Sequence, residues 1–271
     1  MYRLIWFQHV HKAAGSLIVN QAIANGEVLF ENHKNGNPYT PEGELIPLWE
    51  FDKDLLTAFV DQCEAEGVTF VATEWGAPIY ETLHSDPRVI LVTCLREPWS
   101  RLISNFNYDY YHGFTKSRTL GGFLSEELRI KQDNFLVRVF SRNYSAPEGQ
   151  LDENSLSTAF SNLRLFDLVL VTERQYDLSN HLFKALGWQS KPVFSHTTFG
   201  NLWLLKSLVG RLRLYTAWKY LLRRKIGISE EEKKQFMNSS HLDLILYDRL
   251  MIEEIRGFLH PLTQQATESF P

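Results

Sequence analysis

The sequence predicts an α/β protein, a three-layer α/β/α sandwich around a central parallel sheet. Three observations carry that expectation. Short apolar or β-rich runs recur at 4–10, 69–75, 88–95 and 166–172. Stretches with helical spacing lie between them, at 17–24, 52–66, 98–111, 123–142 and 176–186, so strands alternate with helices along most of the chain. The third run, Val89-Ile90-Leu91-Val92-Thr93-Cys94-Leu95, is nearly continuous in apolar residues, as a parallel strand covered on both faces requires.

Taken in order, the first run ends in the turn His11-Lys12-Ala13-Ala14-Gly15-Ser16, from which the helix at 17–24 departs. Residues 32–47, rich in Gly, Pro and Asn, read as a long loop, which in a compact domain is more often a functional lid than filler. Segment 201–225 has apolar residues at Leu202, Leu205, Leu208, Leu212, Tyr215, Trp218 and Leu222, seven Lys or Arg and no acid. It reads as one amphipathic helix with its stripe on the core and its basic face in water, in preference to a membrane-surface or anionic-acceptor role.

At 271 residues and 44% hydrophobic content, the chain is expected to form a single domain over 1–271. The net charge of −4 gives no reason to expect nucleic acid or a polyanionic glycan as the default partner, so any anion site must be local. Two cysteines argue against a disulfide framework, and Cys94 reads as a buried thiol. Met1-Tyr2-Arg3 leads directly into a strand and no apolar stretch reaches ~18 residues, which points to the cytoplasm. No histidine or cysteine falls in a zinc spacing, so no metal is expected.

A strand, then a turn holding Lys12, Gly15 and Ser16, then a helix supplies backbone N–H groups, the positive end of a helix dipole and a mobile ammonium. That is phosphate-binding chemistry. It is not a Walker A loop, because His9-Val10-His11 stands where that loop needs glycine. At the end of the third strand, Arg96 can offer a planar fork to a second phosphate, with Ser104 on the following helix donating beside it.

The run Phe7-Gln8-His9-Val10-His11-Lys12-Ala13-Ala14-Gly15-Ser16 resembles the 5′-phosphosulfate loop of carbohydrate sulfotransferases, which use 3′-phosphoadenosine-5′-phosphosulfate (PAPS). His11 replaces the usual proline and Ala13 the usual threonine. Arg96-Glu97-Pro98-Trp99-Ser100-Arg101-Leu102-Ile103-Ser104-Asn105-Phe106 resembles the family's 3′-phosphate segment, with Glu97 for aspartate. Asn134-Phe135-Leu136-Val137-Arg138, the run Phe166 to Arg174, Leu186-Gly187 and Asp243-Leu244-Ile245-Leu246-Tyr247 resemble later landmarks, nearest to the heparan sulfate 2-O type and bacterial relatives.

The resemblance implies a P-loop-like sulfotransferase fold and transfer of a sulfonyl group from PAPS to a hydroxyl or amine, releasing adenosine 3′,5′-bisphosphate (PAP). It assigns His11, Lys12, Ala13, Ala14, Gly15, Ser16 and Leu17 to the phosphosulfate and Arg96 and Ser104 to the 3′-phosphate. Arg101 divides evenly between that role and an ion pair with Glu97 one turn away.

Glu74, at the end of the second strand, is the candidate base, with its pKa expected to rise through burial beside Trp75. Lys12 stabilises charge on the leaving group, and His9 competes for the base role. His84 and His112 read as surface or supporting residues. Trp49-Glu50-Phe51-Asp52 with Trp75 suggests an aromatic and acidic acceptor pocket, suited to a cationic or neutral small molecule, with a glycan as the other acceptor class. Two other functions remain open: a P-loop-type nucleotide-dependent phosphotransferase, and a non-catalytic PAP-binding module.

Overall fold

The computed structural model describes residues 2–126, 133–173, 182, 185–193, 202–210, 212, 214–222 and 228–255. Its strands are β1 (Leu4–His9), β2 (His33–Lys34), β3 (Asn37–Pro38), β4 (Phe70–Thr73), β5 (Val89–Leu95) and β6 (Leu168–Val171). Four of them form a parallel sheet in the order β4-β1-β5-β6. The register sets Gln8 beside Thr73 and His9 beside Cys94, so the carboxyl ends of β4, β1 and β5 lie level.

Side chains alternate across the sheet, and both faces are covered. Leu4, Trp6, Val71, Leu91 and Val169 face one layer, built from helices α2 (Lys53–Glu66), α3 (Tyr80–Ser85), α6 (Phe135–Ser141), α7 (Glu153–Leu163) and His241–Ile255. Ile5, Phe7, Phe70, Ala72, Val92 and Leu168 face the other, where α1 (Gly15–Ala24) packs with Leu182, Leu186 and Trp188. This is the expected α/β architecture, with a four-stranded parallel sheet flanked by helices. Cys63 and Cys94 are buried free thiols. No helix among the described residues is long and apolar enough to cross a membrane.

From β1 the chain crosses to β4 on one side, and from β5 to β6 on the other. The two connections diverge between the carboxyl ends of β1 and β5, the place where open α/β sheets form a ligand crevice. After β5 the chain continues into α4 (Pro98–His112) and α5 (Leu120–Leu124).

Three expectations are corrected. Segment 32–47 is no free lid: it contains the β2–β3 hairpin, docked on β4, with Ala72 N–H donating to Gly36 O at 2.9 Å. Gly36 sits at φ +81, and a Cβ there would stand 3.0 Å from Ala72 Cβ, so the close approach requires glycine.

The single helix expected at 123–142 is instead the end of α5 and the whole of α6, with 127–132 outside the described residues. Asn134, left-handed at φ 48, starts α6 afresh. Asp243 accepts from the first amides of α6 (Leu136 at 2.9 Å, Val137 at 2.8 Å), and Asn134 Oδ1 accepts from Leu242 N–H at 2.9 Å, so each helix start caps the other.

The helix expected at 201–225 is two helices, Leu202–Gly210 and Leu214–Leu222, separated by Leu212 at φ 57. Leu208 and Ala217 pack with Tyr111 of α4, but Leu212, Tyr215 and Trp218 of the expected core stripe are exposed. Most of the helix expected at 176–186 lies outside the described residues. The helices Glu230–Ser239 and His241–Ile255 were not expected, although Ser229 and Glu232 spell a capping box at the first.

Candidate functional site

The turn after β1 is strained. Ala13 N–H donates back to Val10 O at 3.0 Å, and both Lys12 (φ 67) and Ala14 (φ 57) are left-handed. Non-glycine residues adopt that region at a cost of roughly 1–3 kcal/mol each, and such strain gathers at ligand clamps. Ala14 is the N-cap of α1 and makes no side-chain hydrogen bond to its first turn, where Gly15, Ser16 and Leu17 sit. Gly15 is buried under the His9 imidazole, which the Cβ of any other residue would overlap.

Gln8 holds the neighbouring strand end. Its side chain is wholly buried and donates to Thr73 O at 3.0 Å and Gly76 O at 3.2 Å, while its Oε1 accepts from Thr73 Oγ1 at 3.1 Å. Glu74 therefore leaves β4 in a fixed direction, and Asn37 of β3 accepts its backbone N–H at 2.9 Å.

The Glu74 carboxylate meets two imidazoles. His11 donates from Nδ1 to Oε1 at 2.7 Å, and its Nε2 faces Asn105 Oδ1 of α4 at 3.1 Å. His9 Nδ1 stands 3.3 Å from Oε2, within ion-pair reach but without hydrogen-bond geometry. Burial alone would raise the pKa of Glu74, but the charge of His9 and the bond from His11 outweigh it and hold the group well below the usual carboxylate range. The expected rise beside Trp75 is thus reversed, because Trp75 is 47% exposed and the imidazoles are the nearer influence.

Lys12 lies in the field of both Glu74 and Arg96 at the β5 end. Its Nζ sits 3.8 Å over the ring of Tyr108 on α4. Burial pushes its pKa down to about 8; Asp109 and Glu74 oppose that, and Arg96 adds to it. Arg96, at the carboxyl end of β5, donates from Nη1 to Lys12 O at 3.3 Å, so the two expected phosphate segments do meet. Glu173 after β6 steadies the start of α4 by accepting Glu97 N–H at 3.2 Å and the Tyr247 hydroxyl at 3.0 Å.

Most expected site residues converge here: Glu74, His9 and His11 at one side of the crevice, and Lys12, the turn 13–17 and Arg96 at its centre. Ser104 sits on α4 one turn before Tyr108, partly exposed.

Arg101 does not join them. It is wholly buried over the Phe135 ring at 4.2 Å in the field of Asp243, and its pKa falls to about 10 through burial. Nor does Glu97 pair with it; the Glu97 carboxylate accepts Trp99 and Ser100 N–H at the start of α4.

Of the supposed acceptor pocket, Asp52 caps α2 and Phe51 packs edge-on against Phe59. Trp49 lies over Gly76, and Trp75 is 6.5 Å from the His11 ring, so these two indoles remain beside the site. His84 is exposed, and His112 bonds Tyr108 O at 2.8 Å on its own helix.

Sequence reasoning missed Asn37, Asn105, Tyr108 and Asp109. The last three had a signal: with Arg101 they recur at i, i+4, i+7 and i+8, a polar stripe on one helix face that is otherwise apolar. Asn37 had none, since nothing in its segment says which strand it meets. Comparison with protein-family models and with curated proteins returns no match.

The contact between His9 and Gly15 is testable by a double-mutant cycle. Gly15→Ala should lower stability to chemical denaturation by roughly 1–3 kcal/mol, as overpacking does. In a His9→Ala background the same change should cost less than about 0.5 kcal/mol. Equal losses in both backgrounds would mean that the imbalance lies in the backbone turn and not in the imidazole.

Proposed function

We propose that the chain is a PAPS-dependent sulfotransferase with a P-loop-like sulfotransferase fold, acting on a hydroxyl or amine of a small molecule or glycan and releasing PAP. One observation carries the reading: the strained turn with Lys12 and the strand-end Arg96 share the β1–β5 crevice, beside a buried carboxylate–imidazole cluster. Two cationic groups on opposite elements suit a ligand with two separated phosphates.

In this reading Lys12 and the amides at the start of α1 hold the 5′-phosphosulfate, and Arg96 with Ser104 holds the 3′-phosphate. The acceptor atom forms a bond to sulfur as the bond from sulfur to the 5′-phosphate oxygen breaks. Lys12 faces the charge that develops on that oxygen, and its Nζ leaves its seat over the Tyr108 ring to meet it.

Glu74 works as base together with His11 and His9. A carboxylate held so far below its usual range accepts a proton poorly by itself, so the cluster takes the proton as a unit while Glu74 fixes the ring of His11. Trp49 and Trp75 offer aromatic faces at the acceptor side, in keeping with a cationic or neutral natural product.

Melting-temperature shifts test the ligand. PAP without magnesium should stabilise the protein, and Arg96→Ala should lose most of that gain. Greater stabilisation by ATP with magnesium would favour a phosphotransferase and sink the assignment.

Replacing the carboxylate separates binding from chemistry. Glu74→Gln should leave PAP affinity within about threefold while cutting turnover by roughly 100-fold or more. Normal turnover in this variant would remove Glu74 from the reaction, and unaltered PAP binding with no turnover in the parent protein would make the chain a binding module.

The depressed pKa of Lys12 sets a pH limit. Its ammonium is charged below about pH 8 and is lost as pH rises through that value, so kcat/KM for PAPS with an alcohol acceptor should fall above about pH 8. Lys12→Ala, slower throughout, should lack this alkaline limb. The same limb in both proteins would assign it to another group.

A further inference from the structure

We propose that the helix pair Leu202–Gly210 and Leu214–Leu222 docks the protein onto a membrane surface bearing anionic lipid headgroups. The pair has one inner side already used, where Leu208 and Ala217 pack with Tyr111 of α4. A second apolar side is left in water: Leu212 is 84% exposed, Leu214 60%, Tyr215 54%, Trp218 56% and Leu221 61%. Leu214, Trp218 and Leu221 recur at i, i+4 and i+7, so they form one stripe with Tyr215 on its flank. Isolated exposed leucines need no explanation, but five large apolar residues within ten positions do.

Charge selects the occupant. Residues 201–225 hold seven Lys or Arg and no acid, whereas the whole chain carries −4, so everything outside this segment sums to −11. A second copy docking through the same stripe would set one basic segment against another and is disfavoured. An anionic lipid surface attracts this segment and repels the rest, which orients the molecule with the stripe inward. Trp and Tyr among leucines and flanking cations are also the composition of helices that lie in the interface, and neither helix is long enough to cross. This inference stands apart from the chemistry of the crevice.

Vesicle flotation tests it. The full chain should float with vesicles containing phosphatidylglycerol at least about tenfold better than with phosphatidylcholine alone, and the difference should shrink at high salt. Leu212→Ser with Trp218→Ser should lose most of the binding, and Lys206→Glu should weaken it, with melting temperatures unchanged because these side chains are exposed. Equal binding to both vesicle types, or unimpaired binding by the variants, would overturn the proposal. So would a dimer that the apolar variants dissociate, or binding to heparin without binding to vesicles.

Discussion

A glutamine side chain with no access to water must satisfy its donors and acceptor inside the protein, and Gln8 does so by gripping the end of β4. Thr93 adds to the same knot by donating to Gln8 O at 2.8 Å, and Trp6 by donating to Thr73 Oγ1 at 3.2 Å. The carboxyl ends of β1, β4 and β5 are thereby held together by polar bonds in a region from which water is excluded, where each such bond is costly to break. Everything at the crevice is downstream of this knot. It sets where Glu74 emerges, and Glu74 in turn sets the rings of His9 and His11. His9 then lies where Gly15 must pass.

The crevice holds a cation and an anion that burial would each neutralise. For Glu74 two imidazoles reverse the effect and the charge is kept; for Lys12 the opposing acids only moderate it, and its pKa falls to about 8. The two groups are therefore unequal, one a fixed charge and the other responsive to what binds. An anion bound beside Lys12 would add counter-charge to it, whereas the two imidazoles already supply that of Glu74.

The sheet was legible because strands buried on both faces leave nearly unbroken apolar runs, as Val89 to Leu95 does. The turn at Lys12 and the strand-end Arg96 were legible because local sequence dictates strand-turn-helix geometry. What escaped depends on distant partners. Arg101 reads as a phosphate ligand or a partner of Glu97 from spacing alone, and only packing shows it buried over Phe135. The pKa of Glu74 was misjudged because its sequence neighbour Trp75 points outward and its real neighbours lie 63 and 65 positions away. The break at Leu212 was marked only by Gly210 two positions earlier, since leucine is a good helix former and does not itself announce a left-handed residue.

The hairpin that replaces the supposed lid has an effect beyond the site. As the outermost strand, β4 turns the N–H groups of Phe70 and Ala72 away from β1, and these are taken by Val28 O at 3.1 Å and Gly36 O at 2.9 Å. An apolar strand edge is thus closed before it can recruit a strand from another molecule. Because the closing segment precedes β4 in the chain, it is already made when β4 emerges from the ribosome. Order of synthesis and protection from aggregation coincide, and a chain with this segment excised would be expected to clump through Phe70-Val71-Ala72 before it lost its sheet.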